Sequence, residues 1–164
     1  MEHNWRITNV VKEFIEENGI EASIDIDEDE DSSFTIFSTA SESGSLRTII
    51  NVDEESGHFM MYVIYTDEII PKKYANEVLK YVNHINLHTK IGAFHIFKYE
   101  GDSFLRHYQG LLGDDMEIGE SLIYNMLLEA VDAIQMRVPQ LKSILHDGKK
   151  LGDIFQDSAQ LFLD

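Results

Sequence analysis

The chain has 164 residues, 43% of them hydrophobic and 10% aromatic, and this composition excludes a largely disordered protein. It contains no cysteine, which excludes disulfides, thiolate nucleophiles and cysteine-ligated metal centres. The net charge is −17, and positions 1–70 alone carry 17 acidic against 3 basic residues. Because such a field repels nucleic acids and anionic lipids, we expect neither among the partners.

The length favours one domain over residues 1–164. No secretory signal peptide is recognisable at the start of the sequence, and no run reaches the roughly 18 apolar residues of a membrane span. We therefore expect a cytoplasmic protein with no membrane partner.

The first predicted element is a helix over residues 4–18, where apolar residues recur at helical spacing and acidic residues occupy the other face. Asn4 is a candidate cap at its start. Asn18 and Gly19 are expected to end it, because both residue types tolerate the left-handed backbone of a C-terminal cap.

Four strands are predicted next, because apolar and polar residues alternate between turn-rich segments. Their connections are short, so consecutive strands are expected to pair in antiparallel fashion. The predicted strands cover residues 20–27, 34–40, 46–52 and 59–65.

A second helix is expected to begin at Pro71 and to end near residue 87, since proline is favoured in a first helical turn. Residues 90–112 then show two alternating runs around Gly101, the pattern of a β-hairpin. A long helix is predicted from about Glu117, with a kink or break at Pro139 and a further turn or two over residues 140–145. Residues 147–164 could form a short terminal helix or a docking tail.

This order of elements predicts an α+β fold, in which one antiparallel sheet is covered by helices on one face. Three motifs in the second half resemble those of the YbjN family and of the wider type III secretion chaperone-like fold: VNHIN at 82–86, IGAFHI at 91–96, and the turn Gly101-Asp102. The resemblance implies the same fold and a protein without catalytic apparatus. It also implies dimerisation and the holding of a partner chain in extended form, as secretion chaperones do, or a role in regulation and stress responses.

Aromatic and methionine side chains in the predicted strands are the candidates for a binding surface. Such side chains suit adaptable surfaces, and they also fill cores. Both alternating sets are apolar in 59–65 and in 91–99, although a sheet with one solvated face is more polar on that face. The excess indicates a second cover or a partner. The residues predicted to contact a partner are Phe59, Met61, Tyr65, Phe97 and Tyr99.

The preferred interpretation is a non-catalytic protein-interaction module, chaperone-like or regulatory, that binds a protein or peptide through strand edges or the apolar sheet face. A homodimer is expected, and the charge of the acidic first half is compatible with a basic partner. A structural subunit of a larger complex is another interpretation.

The alternative is a small-ligand-binding protein or enzyme that uses a polar patch around His95 and His107, completed by Glu100, Asp102, Arg106 and Tyr108. The common nucleophile, phosphate-loop and zinc-protease motifs are not found in the sequence. We therefore expect no enzyme and no cofactor.

Two segments have some features of metal sites. The acidic turn at 25–31 departs from a calcium-binding EF-hand loop, because Glu30 and Ile36 occupy the positions of its glycine and its last glutamate. Weak binding of divalent ions there is left open. His84 and His88 have the spacing of helical zinc ligands, but a helix that ends near residue 86 would separate them. No metal site is predicted.

Overall fold

The computed structural model of the chain describes residues 5–112 and 118–160. This part of the chain forms four α-helices and six β-strands, and a single 3-10 turn at Lys72–Tyr74 precedes the second helix. In chain order the elements are α1 Arg6–Glu17, β1 Ala22–Asp27, β2 Ser32–Ser41, β3 Gly44–Asp53, β4 His58–Tyr65, α2 Ala75–Asn86, β5 Ala93–Tyr99, β6 Asp102–Leu111, α3 Glu120–Leu145 and α4 Leu151–Gln160.

The six strands form one antiparallel sheet in the order β1-β2-β3-β4-β6-β5. The chain leaves the sheet after β4, passes through α2, and returns at the outer edge as β5. The hairpin then places β6 between β4 and β5. The predicted α+β class is confirmed.

The core lies between one face of the sheet and the helices. α3 packs on β4 and β6, α2 packs on β5, and α1 packs against α3. Side chains at alternate strand positions are almost fully buried on this face, because it is the face that the helices cover. The largest strand residues in this core are Phe37, Leu46, Ile50, Phe59, Met61, Tyr65, Phe94 and Leu105.

The N-terminus of α1 is held by a residue that is distant in sequence. The carboxylate of Glu54, in the turn between β3 and β4, accepts hydrogen bonds from the backbone N–H groups of Ile7 (3.1 Å) and Thr8 (2.6 Å). Such a carboxylate satisfies N–H groups that have no partner within the helix and complements the positive end of its dipole. The predicted cap, Asn4, lies outside the described residues.

α3 runs for 26 residues through Pro139, so of the predicted kink or break the break does not occur. Proline removes one backbone hydrogen bond, but Pro139 lies on the exposed side of the helix. Val138 and Leu141 continue the buried stripe on the other side, and their packing holds both halves in one helix. The predicted start at Glu117 lies outside the described residues.

The last described segment is helical and packs against α2. The Ile154 side chain is buried, and the Phe155 ring lies 4.1 Å from the His84 ring between centroids. The backbone N–H of Leu151 donates to the Glu77 carboxylate at 2.9 Å. Residues 161–164, part of the predicted tail, lie outside the described residues. None of the helices in 5–112 and 118–160 is both long and apolar enough to cross a membrane.

Candidate functional site: the open face of the sheet

The face of the sheet that points away from the helices carries the second alternating set of side chains. Its strand register brings apolar residues of four strands into one row of cross-strand neighbours. That row consists of Ile36, Ile49, Tyr62 and Tyr108. The described helices all lie on the opposite face, so these side chains have no helical cover within that part of the chain.

This face contains a hollow of about 530 Å³, which we call the open-face hollow. It extends from β2 to β5, and four strand spacings make it roughly 19 Å wide. Its rim is well exposed, since Phe34 and Tyr99 keep 39% and 51% of their surface open to solvent. Its apolar lining residues are Phe34, Ile36, Ile49, Tyr62, Ile64, Phe97 and Phe104.

Arg106 is a central polar residue of the hollow. Its guanidinium carbon lies 4.7 Å from the centroid of the Tyr62 ring and 4.8 Å from that of the Phe97 ring. These distances are typical of cation–π contacts. Burial lowers the pKa of Arg106, and the neighbouring tyrosines Tyr62 and Tyr108 act in the opposite direction. The guanidinium is therefore partly desolvated and in contact with two aromatic rings.

The predicted patch of His95 and His107 does not form, and that prediction is wrong. The two-residue turn at Glu100 and Gly101 pairs Tyr99 with Asp102, and in this register His95 pairs with Arg106. His107 pairs instead with Phe94, so the two imidazoles point to opposite faces. The positive φ angles of both turn residues, 50° and 93°, are those of a tight hairpin turn. The sequence signal for this arrangement is the pair Glu100-Gly101, because a two-residue turn places His95 and His107 on opposite faces.

His95 is exposed on the open face, where its ring lies 4.8 Å from that of Tyr108. Burial lowers its pKa, and so does the charge of Arg106. His107 is fully buried on the helix side, where Nε2 is 3.2 Å from the carbonyl oxygen of Ile91. Burial lowers the pKa of His107 as well. Neither imidazole faces the other across a site.

The five residues predicted to contact a partner are divided between the two faces. Phe59, Met61 and Tyr65 are no more than 1% exposed and lie in the core under the helices. Phe97 and Tyr99 line the open-face hollow. The structure thus brings together only the last two.

Sequence reasoning missed most of the hollow because β4 is apolar on both sides. A signal was present in β3, where the set that contains Arg47 and Asn51 is the more polar one and faces outward. Following its cross-strand neighbours leads to Tyr62 and Ile64 rather than to Met61.

An acidic region adjoins the hollow. A second depression of about 410 Å³ shares Phe34 and Asn51 with the open-face hollow and is also lined by Asp25, Asp27 and Asp53. Backbone and side-chain hydrogen bonds from Ser56 lower the pKa of Asp53. Asp27 accepts hydrogen bonds from the backbone N–H groups of the adjoining turn.

The two histidines that have the spacing of helical zinc ligands are not joined by a third ligand among the described residues. The rings of His84 and His88 lie 5.2 Å apart between centroids. Within residues 5–112 and 118–160, no three His, Asp or Glu side chains are placed to hold a metal ion together.

No family model matches the chain. No curated protein matches it either. The resemblance to the YbjN family and to type III secretion chaperones accordingly stays a prediction.

Proposed function

We propose that this protein is a non-catalytic interaction module that binds an extended segment of a partner protein across the open-face hollow. The observation that carries the proposal is a sheet face that none of the described helices covers, on which apolar side chains from four neighbouring strands form one continuous surface. Contiguous apolar surfaces of this kind on otherwise soluble domains mark interaction sites.

The shape of the hollow favours a polypeptide segment. It is open to solvent and extends for roughly 19 Å across the strands, from β2 to β5. An extended chain spans this distance with about six residues. Alternate side chains of such a segment would enter the hollow between Ile36 and Phe97, while the others would face solvent. Burial of apolar surface would supply the affinity.

The free strand edges offer a weaker site. Asn86 already hydrogen-bonds both backbone groups of Phe94 on the edge strand β5. The sheet face therefore has better support than strand addition at this edge.

The partner, oligomeric state and location belong to the same proposal. The acidic side chains Asp25, Asp27 and Asp53 at one end of the face favour a basic residue in that part of the partner segment. We further propose a homodimer in the cytoplasm, with a chaperone-like or regulatory role.

The experiment is selection of a random peptide library on the full-length protein, followed by calorimetric titration of the selected peptides. Ile49→Ser removes apolar surface from the centre of the hollow, and Leu79→Ser, which makes an apolar-to-serine change at an exposed position on α2, serves as the control. We expect Ile49→Ser to weaken binding at least tenfold and Leu79→Ser to leave it unchanged. Circular dichroism of both variants verifies that each is folded.

Two results would contradict the proposal. One is the absence of any selected peptide that depends on Ile49. The other is self-association that buries this face, detected by sedimentation as an oligomer that Ile49→Ser dissociates while Leu79→Ser does not. In that case a second copy of the chain, and not a partner segment, occupies the hollow.

A further inference from the structure

The charge of Arg106 is not matched by an acid among the residues that the structure describes. No carboxylate forms an ion pair with Arg106 in the described ranges 5–112 and 118–160, although the net charge is −17. Glu100 and Asp102 line the same hollow without reaching it, and Arg47 adds a second cation to the lining. An uncompensated arginine at this place is unexpected in a protein with 30 acidic residues against 13 basic ones.

The guanidinium is also incompletely hydrogen-bonded. Its Nε atom is buried and has no hydrogen-bond partner among the residues that the structure describes. The rings of Tyr62 and Phe97 contact the group and limit its hydration. A cation that has lost water without gaining an anion raises the free energy of the unbound state, and an anion at its accessible nitrogens would lower it.

The geometry of the group selects the kind of anion. Arginine presents a planar fork of N–H donors that matches the two oxygens of a carboxylate. Ring contacts at 4.7 Å and 4.8 Å restrict that plane before a ligand binds, so less conformational entropy is lost on binding. The surrounding apolar side chains strengthen the attraction by lowering the local dielectric constant.

We propose that the partner segment carries a carboxylate that binds the guanidinium of Arg106, next to the rings of Tyr62 and Phe97. This inference rests on the proposed function and names the chemistry of the partner within the hollow. In an extended segment, the residues two positions before and after the acid point to the same face of the chain. Those residues are apolar or aromatic and cover Ile49 and Phe104.

The carboxylate has two sources, the side chain of Asp or Glu and the C-terminus of the partner. Each selected peptide is therefore compared with two neutral analogues of the same shape, one with Asn or Gln in place of the acid and one with an amidated C-terminus. The analogue that binds more weakly identifies the source.

The test is a double-mutant cycle between peptide and protein. Arg106→Gln removes the charge, Arg106→Lys keeps the charge without the planar fork, and Arg6→Gln is the control on the exposed side of α1. We expect neutralising the peptide's acid to weaken binding to the unchanged protein and to Arg6→Gln at least tenfold. The same change is expected to have less than a twofold effect on Arg106→Gln, with Arg106→Lys in between.

A second measurement does not depend on how the variants fold. The Nε–Hε resonance of Arg106 in the unchanged protein should shift on addition of the acidic peptide and stay in place with its neutral analogue.

The outcomes separate this inference from the proposed function. Peptides that require Ile49 but bind equally well with and without the acid overturn the inference and leave the proposed function intact. The inference is also overturned if neutralising the peptide's acid weakens binding to Arg106→Gln as much as binding to the unchanged protein, because the acid then binds elsewhere. A library that yields no peptide dependent on Ile49 overturns both.

Discussion

Asn86 and Phe94 are joined by two hydrogen bonds that replace a missing neighbour strand at the edge of the sheet. The side-chain oxygen of Asn86 accepts from the N–H of Phe94 at 2.7 Å, and its Nδ2 donates to the carbonyl oxygen of Phe94 at 2.9 Å. The last residue of α2 thereby positions the edge strand β5. The same contact fixes Phe97 and Tyr99, three and five residues further on, relative to the hollow.

The first prediction concerns this pair of hydrogen bonds. Asn86→Ala removes both, so that the N–H and the carbonyl oxygen of Phe94 lose their partner. We expect the free energy of unfolding to decrease by about 2 kcal/mol. Urea denaturation measures the change. Asn83→Ala, at an exposed position one turn earlier, should change stability by less than about 0.5 kcal/mol. An equal loss of stability in the two variants would contradict the prediction, because Asn83 makes no such contact with the edge strand and alanine is the better helix former.

The second prediction concerns the remote cap of α1. Glu54→Gln keeps an acceptor but removes the negative charge at the helix N-terminus, and Glu54→Ala removes both. We expect a loss of about 1 kcal/mol for Glu54→Ala and a smaller loss for Glu54→Gln. Thermal denaturation at low and high salt should show that the difference between the unchanged protein and Glu54→Gln shrinks with salt, because salt screens the charge that only the unchanged protein carries. Glu55→Gln is the control, since the neighbouring Glu55 is exposed.

The third prediction compares two glycines of the hairpin region, both with positive φ. At Gly92, where φ is 68°, an added Cβ would collide with the backbone of Tyr108 and the ring of His107. At Gly101, where φ is 93°, an added Cβ would meet no atom within 4 Å among the described residues beyond its chain neighbours. Gly92→Ala should therefore abolish folding or lower stability far more than Gly101→Ala, which suffers only the backbone strain. Urea denaturation measures the free energy of unfolding. A similar decrease in both variants would contradict the predicted clash at Gly92.

The fourth prediction is a pH dependence that arises from His107. Because burial holds the folded-state pKa of His107 below 6.5, the unfolded chain binds a proton that the folded protein does not. This contribution is absent well above pH 6.5, destabilises the protein as pH falls through 6.5, and levels off below the folded-state pKa. Its slope is at most about 1.4 kcal/mol per pH unit.

The measurement is the free energy of unfolding at several values between pH 7.5 and 5.5. His107→Gln should flatten the profile relative to the unchanged protein. His95→Gln tests the second histidine with a lowered pKa, and His88→Gln, at an exposed position, is the control. A profile with the same slope in His107→Gln would mean that other groups cause the pH dependence.

The order of elements follows from local rules and was accessible from the sequence. Alternation with a period of two predicts the strands, helical spacing predicts the helices, and Gly19 follows the C-cap residue Asn18 at the end of α1. Pro71 precedes the 3-10 turn Lys72–Tyr74, and α2 begins only at Ala75. Short connections then required antiparallel pairing. These signals are local because backbone geometry and the burial of every second or every third to fourth residue act within a few positions.

Other features depended on residues far apart in the chain. Glu54 caps a helix 46 residues earlier, and no local pattern of α1 contains it. The packing of Val138 and Leu141 against the core keeps α3 continuous through Pro139, although proline locally disfavours a helix. In both cases tertiary contacts outweigh the local preference on which the prediction depended.

The sequence by itself determined that this protein has an α+β sheet, a large acidic excess and more apolar strand residues than one core face needs. The tertiary structure alone decided which of the two apolar sets in β4 is inside. It placed Met61 under the helices and Tyr62 on the open face. The packing of the helices and the register of β4 to β3 and β6 determine which face each side chain occupies. The same choice brought Tyr62, Phe97 and Arg106 together from three strands that pair only in the folded sheet.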